Sequence, residues 1–355
     1  MSKKEKACPR VDIGGQAVME GVMMKAPDAI AISVRRPDGT IVVKRKEYTP
    51  LAKKHPWMGW PIIRGVINMG MMLASGMSTL QESTEMLGIM DEEPTKFEKW
   101  LAEKLGKGID KIVMGVAVIL AVFLSVGLFI MIPAAVESGL MALGVTGTPA
   151  TIIGGIVKIL ILIGYMIFCG FVPDVRRTFQ YHGAEHKTVY CNENGEELTV
   201  ENCRKYPVMH PRCGTAFLLI VMVISILVTS VASVFGLDGN VFTRILVRLI
   251  LLPIVAGLSY ELLQWTGRND NWLTRILRWP GMQLQRLTAL QPTDDMLEVA
   301  IVAMKLAKGE EWHDEADEQP EEPAEAASEE SSEEPLEEVG AYDPETDENP
   351  DEAKG

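Results

Sequence analysis

The sequence predicts a mainly α-helical membrane protein with about four transmembrane helices, an N-terminal β-hairpin and a cytoplasmic histidine-rich loop. Three observations support this class. Four apolar stretches each approach the ~20 residues that a bilayer core requires. Basic residues are concentrated in the segments that flank one end of these stretches. An H-x-x-E-H segment, His182–His186, lies between the second and third stretches.

The charge of the chain is divided unevenly. The 355 residues carry a net charge of −14, but residues 309–355 contain 21 acidic residues and one lysine, which leaves residues 1–308 with a net charge of +6. A basic body suits contact with anionic lipid, and no nucleic-acid-binding motif accompanies it. The tail is too acidic and too poor in apolar residues to fold, so we predict that residues 309–355 are disordered.

Residues 1–56 form a predicted N-terminal cytoplasmic segment built around one hairpin. Two β-branched runs, at 29–35 and 40–47, flank an Asp38-Gly39 turn, which is a strong hairpin signal. Ahead of it, Gly14-Gly15 is read as a turn before a short strand or helix. Glu20 follows this turn and is a weaker candidate for a functional carboxylate.

Residues 57–111 are predicted to form interfacial and amphipathic helices. The apolar run 57–80 contains Arg64 and Asn68 and has lysines on both sides. Positive charge at both ends argues against a membrane crossing, so this run is predicted to be an interfacial or re-entrant helix. An amphipathic helix is predicted at 94–111.

The transmembrane region is predicted over residues 112–265. Loop 134–150 lacks Lys and Arg, whereas loop 173–213 and the segment after residue 265 are rich in both. The positive-inside rule therefore places the 173–213 loop and both termini in the cytoplasm. The four predicted spans are 112–133, 151–172, 214–236 and 242–265.

Ionisable residues inside or beside these spans are costly and therefore informative. Lys158 lies in the second span, Arg244 and Arg248 in the fourth, and Glu137 just beyond the first. The default interpretation of the two arginines is that they reach to the outer headgroups. Glu261 lies near the cytoplasmic end of the fourth span, at about the depth of the histidines.

Residues 266–308 are predicted to form membrane-surface helices. Trp272 and Trp279, with arginines between them, are typical of a helix at the headgroup level. Thr293 is a sound N-cap for a second helix, predicted at 293–307, whose apolar residues repeat every 3.6 positions.

The H-x-x-E-H segment predicts a divalent metal site, with zinc as the preferred ion. On a helix, His182 and His186 lie one turn apart and can bind one metal ion, and Glu185 can act as the base for a water molecule held there. The third ligand in this catalytic interpretation is His210 or Glu261. The alternative is a structural site in which His182, His186, His210 and Cys213 close a tetrahedron.

The cysteines do not suggest a disulfide framework. Five are present, at loose spacings, which fits a reducing compartment. Cys191 and Cys203 can replace some of the predicted metal ligands.

Several longer segments are similar to one bacterial family. GGQAVMEGVMM at 14–24, WPIIRG at 60–65, YHGAEHK at 181–187, HPRCGTAF at 210–217 and RLTALQPTDDMLEVA at 286–300 resemble the YqhQ-like membrane proteins. That family is described as a domain of unknown function and a predicted metal-dependent enzyme, and the resemblance covers residues 14–307. It implies a multi-pass protein of the bacterial inner membrane and carries no assigned reaction.

The predicted function is hydrolysis at the cytoplasmic membrane surface, with Glu185 as general base and a lipid-linked molecule, a peptide or a membrane-protein segment as substrate. The alternative is a non-enzymatic membrane scaffold or regulator with a structural metal. Transport, based on Lys158, Arg244 and Arg248 within the spans, is a third interpretation. Four spans without visible repeats argue against it unless the protein oligomerises.

Overall fold

The computed structural model describes residues 13–48, 60, 62–88, 109–145, 147–237, 240–269, 271–310 and 312. Most of the amphipathic helix predicted at 94–111 and nearly all of the acidic tail lie outside these residues.

The described chain is mainly helical, with one small sheet. Its strands are β1 Gly14–Val18, β2 Gly21–Lys25, β3 Ala29–Arg35 and β4 Ile41–Glu47. Its helices are α1 Ile63–Leu87, α2 Ile109–Val126, α3 Ile132–Ala142, α4 Thr148–Cys169, α5 Pro173–Glu193, α6 Val200–Arg204, α7 Thr215–Val234, α8 Val241–Arg268, α9 Trp272–Thr288 and α10 Asp294–Ala307.

Four helical segments are long and apolar enough to cross a membrane, as predicted. They are Gly115–Ala142, Thr148–Cys169, Phe217–Val234 and Phe242–Arg268. The first is longer than expected because a π-helical turn, Gly127–Met131, joins α2 to α3 without a break. Glu137 therefore lies inside a continuous helix rather than in the loop after it. The protein is a membrane protein with a lipid bilayer as its surroundings.

The N-terminal sheet is larger than the predicted hairpin. β3 and β4 pair as expected, with Ser33 opposite Val43, but β1 and β2 extend the sheet to four antiparallel strands in chain order. The β1–β2 turn was not recognised in the sequence because Met19-Glu20 lacks the usual glycine or asparagine. Glu20 adopts a positive φ of 49° there, and both of its carboxylate oxygens accept hydrogen bonds from Arg177 on α5.

The extramembrane core lies between the sheet and three helices. Side chains from β2, β3, α5 and α6 surround α10, whose apolar residues are almost completely covered. The helix predicted at 293–307 is therefore present, but it is the buried centre of the core and not a membrane-surface helix. Its apolar residues face protein on several sides; a one-sided surface helix would leave its opposite face in water.

Helix α1 connects this core to the membrane helices. Gly65 lies so close to Gly257 on α8 that a Cβ atom at Gly65 would be 2.9 Å from the Gly257 Cα. At the other end of α1, Glu82 forms ion pairs with Lys44 and Lys46 of β4. These two basic residues of the hairpin therefore hold α1 against the sheet.

The segment 173–213, predicted as a loop, is mostly helical. It contains α5, which carries the H-x-x-E-H residues, and the short α6. Gly183 lets the α9–α10 connection pass across α5, since a Cβ atom there would lie 1.9 Å from the Leu290 carbonyl oxygen. The Leu290 amide also donates to the Phe179 carbonyl at 2.9 Å. The segment thus places the histidines beneath the C-terminal part of the chain.

Candidate metal centre

The rings of His182 and His186 face each other on one side of α5. Their centroids are 4.3 Å apart, as the spacing of one helical turn predicts. His182 Nδ1 contacts the Thr288 carbonyl oxygen at 2.7 Å, and His186 Nδ1 contacts the Val208 carbonyl oxygen. A carbonyl can only accept, so each ring carries its proton on Nδ1. In the neutral rings both Nε2 atoms then hold a lone pair, which is the arrangement typical of metal-binding histidines.

Cys213 supplies a third donor at the same point. Its Sγ atom lies 3.1 Å from His182 Nε2, and the ligand atoms of His182, His186 and Cys213 all lie within 4.8 Å of one another. The Thr215 amide and hydroxyl lie 3.4 and 3.1 Å from the same sulfur. Thr215 is the first residue of α7, so the positive end of this helix faces the sulfur.

Glu185 lies beside the three donors. Its Oε2 atom is 3.6 Å from His186 Nε2 and 4.0 Å from His182 Nε2, and the side chain is buried. Burial raises the pKa of Glu185, opposed by the nearby His182 and His210 and by a hydrogen bond from the backbone of Gly15. Gly15 has to be glycine because a Cβ atom there would lie 2.6 Å from the Glu185 Cγ. Strand β1 therefore covers one side of the centre.

His186 contains a buried atom without a partner. Its Nε2 is inaccessible to solvent and makes no hydrogen bond among the described residues. Burial lowers the pKa of His186, so the neutral ring is favoured. A buried nitrogen with a free lone pair is costly unless something binds it. A metal ion at the His182–His186–Cys213 cluster would satisfy this atom.

His210, a predicted ligand, is not part of this cluster. Its Nδ1 accepts a hydrogen bond from the Arg212 amide at 3.3 Å, and its Nε2 faces Glu193 at 3.4 Å. Both ring nitrogens are thus engaged away from the cluster. Its backbone is fixed by Gln285, which donates to the His210 carbonyl at 2.9 Å and accepts from its amide at 2.8 Å.

Glu261, the other predicted third ligand, is paired elsewhere. Arg64 Nε and Nη2 lie 2.7 and 2.5 Å from its two carboxylate oxygens, and the Ile62 amide donates to it at 3.4 Å. The depth predicted from the sequence does not bring Glu261 to the histidines, because Arg64 on α1 supplies a cation that pairs with its carboxylate. Glu261 instead joins α1 to α8.

Cys191 and Cys203 lie in the core, outside the cluster. Both thiols are buried, and Cys191 Sγ contacts the Glu197 carbonyl oxygen at 3.4 Å. Burial raises the pKa of Cys191 to about 12, which keeps the thiol protonated and a poor metal ligand. The structure does not bring these cysteines to the histidines.

Four residues that the sequence reasoning missed shape the centre. Gly15, Val208, Gln285 and Thr288 act through backbone groups or through a buried amide, so their residue type carries no chemical signal for metal binding. Two of them lie in segments, GGQAV and RLTAL, that carry the family resemblance. Lys187, within YHGAEHK, fixes the 204–208 segment by donating to the Arg204 and Tyr206 carbonyls.

The donor set fits a divalent transition metal. Two imidazoles and one thiolate suit zinc, and hard ions such as magnesium or calcium prefer oxygen ligands. Three protein donors leave room for a fourth ligand, which is either Glu185 itself or a molecule from outside.

Comparison with known proteins gives the family. The family model described as protein of unknown function (DUF1385) matches residues 60–310. The chain belongs to the DUF1385 family. It is 32% identical over 295 residues to the Bacillus subtilis (strain 168) uncharacterized protein YqhQ, covering 81% of this chain and 89% of that protein. No solved structure matches the chain. The matched region includes all three residues of the cluster.

Proposed function

We propose that this DUF1385 protein is a membrane-embedded zinc hydrolase whose centre is formed by His182, His186 and Cys213. The observation that carries the proposal is the convergence of two Nε2 lone pairs and one sulfur, with both Nδ1 atoms held by backbone carbonyls. Such carbonyl contacts fix the ring orientation and raise the basicity of a ligating histidine.

Glu185 is the proposed general base. A zinc ion bound to three protein donors lowers the pKa of a coordinated water to about 7. Glu185 Oε2 lies 3.6 Å from His186 Nε2 and 4.0 Å from His182 Nε2, so Glu185 would accept a proton from a water held beside these two ligands. Glu185 would then return the proton to the leaving group, and the products would be the hydroxylated fragment and the protonated leaving group.

The position of Cys213 supports a substrate held in the membrane. Cys213 comes four residues before Phe217, where the third candidate span begins. Met72 of α1 lies next to Gly214, and exposed apolar side chains continue along α1 from Met72 and Leu73 to Met77. The substrate classes that fit are a lipid-linked molecule and a segment of a membrane protein.

The distribution of charge supports a cytoplasmic location for this surface. The basic 173–213 segment and the basic residues after α8 favour an orientation with both termini inside the cell, in the bacterial inner membrane. The exposed residues of helix α9 support a position of this helix at the headgroup layer, because Trp272, Ile276 and Trp279 lie on one face.

A structural zinc site is the second candidate, and burial is the observation that favours it. His186 is 1% exposed and Glu185 6% exposed, so Glu185 can also complete a closed four-ligand set. In that case the metal joins α5 to α7 and the protein is a scaffold.

Glu185→Gln separates the two candidates. The full-length protein and the variants Glu185→Gln and His186→Ala are purified in detergent, and zinc is measured by mass spectrometry. Each gene is also tested for complementation of a deletion strain. If Glu185 is a general base, Glu185→Gln should keep about one zinc per chain and fail to complement the deletion. If Glu185 is a fourth metal ligand, both variants should lose zinc. Wild-type protein purified without zinc would reject the metal centre altogether.

A further inference from the structure

Strand β1 is an edge strand that lies beside the candidate metal centre. The strand order β1-β2-β3-β4 gives β1 only one neighbouring strand, β2, so its other side is open to a further strand. Helix α5, which carries the two histidines and Glu185, packs against β1. The hydrogen bonds within the sheet determine which backbone groups of β1 point to its open side.

The pairing of β2 with β3 fixes the pairing of β2 with β1. The Arg35 amide donates to the Glu20 carbonyl at 2.9 Å, just beyond the aligned pair Gly21–Val34. In an antiparallel ladder, a bond in that position means that Gly21 does not bond to Val34 directly. The backbone groups of Gly21 are therefore turned towards Val18, its partner on β1.

Alternate residues of β1 direct their backbone groups to the open side. In an antiparallel pair, every second residue bonds to the neighbouring strand. Because Val18 bonds to β2, Gln16 and Gly14 do so as well. The N–H and C=O groups of Gly15 and Ala17 therefore point away from the sheet.

These outward groups lie next to the reacting end of the centre. The Gly15 N–H donates to the Glu185 carboxylate, and Glu185 Oε2 lies 3.6 Å from His186 Nε2, the buried nitrogen without a partner. In the part of the chain that the structure describes, the Gly15 carbonyl and both backbone groups of Ala17 form no hydrogen bond. A row of unpaired backbone groups thus begins beside Glu185 and continues along β1.

The two edges of the sheet differ in composition. On β4, the opposite edge, Lys44, Arg45 and Lys46 are exposed, and charged side chains protect an edge against the addition of another strand. Strand β1 reads GGQAV and carries no charge, and its Gly14 and Gly15 are exposed. A Cβ atom at Gly14 would meet no described atom within 4 Å. Packing among the described residues gives no reason for glycine there, whereas close approach of another backbone does.

We propose that the substrate of the metal centre is a polypeptide segment that adds to the outer edge of β1 as a further strand. This inference rests on the proposed function and narrows its substrate to one class. Backbone hydrogen bonds to Gly15 and Ala17 hold the segment extended, about 4.8 Å from β1, and its path leads to Glu185. A lipid-linked molecule lacks the regular row of N–H and C=O groups that this edge matches.

The bond that is cleaved is then a peptide bond. Water adds to the carbonyl carbon beside Glu185, and the C–N bond breaks. The proton that Glu185 takes from the water passes to the nitrogen that leaves. The products are one segment with a new carboxyl end and one with a new amino end.

The test compares three hydroxamates on the purified full-length protein in detergent, with affinity measured by calorimetry. They are a tripeptide hydroxamate of alanine and leucine, its analogue methylated at every backbone nitrogen, and acetohydroxamate. All three carry the zinc-binding group, but only the first keeps the backbone N–H groups that strand addition requires. We expect it to bind at least about tenfold more tightly than the other two, as one or two backbone hydrogen bonds imply. Equal affinity of the tripeptide and its methylated analogue would overturn the proposal.

Proline at matched positions on the two edges tests the strand itself. Ala17→Pro removes an outward N–H and keeps the bonds to β2, since edge strands tolerate proline where the N–H faces solvent. It should bind the tripeptide hydroxamate about tenfold more weakly, with unchanged zinc content. The Arg36 amide donates to the Thr40 carbonyl, so the same alternation leaves the Val43 N–H of β4 outward. Val43→Pro should therefore bind the tripeptide as wild type does.

Unchanged tripeptide binding by Ala17→Pro would overturn the proposal, and the methylated probe tests wild type without requiring this variant to fold. Zinc analysis of the same samples separates the two levels of the argument. If wild type lacks zinc and binds no hydroxamate, the proposed function fails and this inference fails with it. If zinc is present and acetohydroxamate binds as tightly as the tripeptide, only the edge site fails. A dimer that Ala17→Pro converts to a monomer would assign the edge to a second copy of the chain and also overturn the proposal.

Discussion

The backbone of Leu290 passes directly over Gly183, so that a single methyl group in place of the glycine hydrogen would lie 1.9 Å from the Leu290 carbonyl oxygen. This contact fixes the distance between α5 and the connection that follows α9. Because Thr288, the last residue of α9 before that connection, holds the His182 ring, the position of Gly183 also affects the candidate metal centre.

Gly183→Ala should therefore destabilise the protein and lower its zinc content. Overpacking typically costs about 1–3 kcal/mol, and here it also displaces the carbonyl that orients His182. Gly70→Ala is the control, because Gly70 lies in helix α1 with no atom within 4 Å of its added Cβ. There the higher helix propensity of alanine should leave stability unchanged or raise it by up to about 1 kcal/mol. Thermal unfolding in detergent and zinc analysis measure both effects; equal behaviour of the two variants would contradict the contact.

Changes at the five predicted ligand positions should divide into two groups. His182→Ala, His186→Ala and Cys213→Ser each remove a donor from the cluster, and each should lose most of the bound zinc. Glu261→Gln should retain zinc, because its carboxylate pairs with Arg64. His210→Ala should retain at least part of it, since its ring nitrogens face Glu193 and the Arg212 amide. Zinc analysis of purified protein distinguishes the groups, and zinc loss in Glu261→Gln would restore Glu261 as a ligand.

Gln285→Met should destabilise the core beside the metal centre. Methionine fills a similar volume but leaves the His210 amide and carbonyl without the two hydrogen bonds that Gln285 now makes. Each buried unpaired group costs about 1–3 kcal/mol. Gln180→Met, at a residue whose hydrogen bond to Gln291 is solvent-exposed, should change the unfolding free energy by less than about 0.5 kcal/mol. Chemical denaturation of both variants tests the difference, and a similar small loss in both would show that the Gln285 bonds contribute little.

The contact between α1 and the sheet should weaken in acid. Although burial opposes the change, hydrogen bonds and charges from Lys46, Ser78 and Lys44 lower the pKa of Glu82 below 4.5. A depressed folded-state pKa means that the contribution is present above the unfolded pKa and is lost as the pH falls through the folded value. Thermal midpoints measured from pH 6 to pH 3 should therefore fall less steeply in Glu82→Gln than in wild type.

Glu85→Gln provides the control for this pH series. Glu85 lies one turn from Glu82 on α1 and its side chain is exposed. Its substitution should leave the acid-dependent fall of the midpoint as steep as in wild type. If both variants flatten the profile equally, general surface charge and not the Glu82 ion pairs sets the slope.

Features that depend on local spacing could be predicted from the sequence. His182 and His186 share a face because they are four residues apart on a helix, and Asp38-Gly39 closes the β3–β4 hairpin because few other turns suit that dipeptide. The number of candidate spans could be predicted from the lengths of the apolar stretches. The first candidate span continues to Ala142 beyond the predicted end at residue 133, because Pro133 lies in the first turn of α3 and the carboxylate of Glu137 is paired with Arg248, so neither residue ends the helix.

Features that depend on tertiary contacts could not be predicted in this way. His210 and Cys213 are three residues apart in the chain, yet only Cys213 turns towards the histidines, because Gln285 and Glu193 hold His210. Glu261 was predicted to lie at the same depth as the histidines, but its carboxylate pairs with Arg64 on α1 and does not reach them. Glycine at position 183 lowers the helix propensity of α5, and the sequence alone gives no reason for it. The structure supplies the reason, because the Leu290 carbonyl lies where a Cβ atom of residue 183 would be.

The residues that enclose His182 and Glu185 come from opposite ends of the family-like region, since Gly15 belongs to the first strand and Thr288 to the end of α9. During synthesis, α5 leaves the ribosome well before α9 and α10. The centre can therefore close only after the membrane helices have been inserted and the last helix has reached its place in the core. We therefore expect the proposed metal to be loaded late in the biogenesis of this protein, and a truncation before Thr288 to produce inserted chains without it.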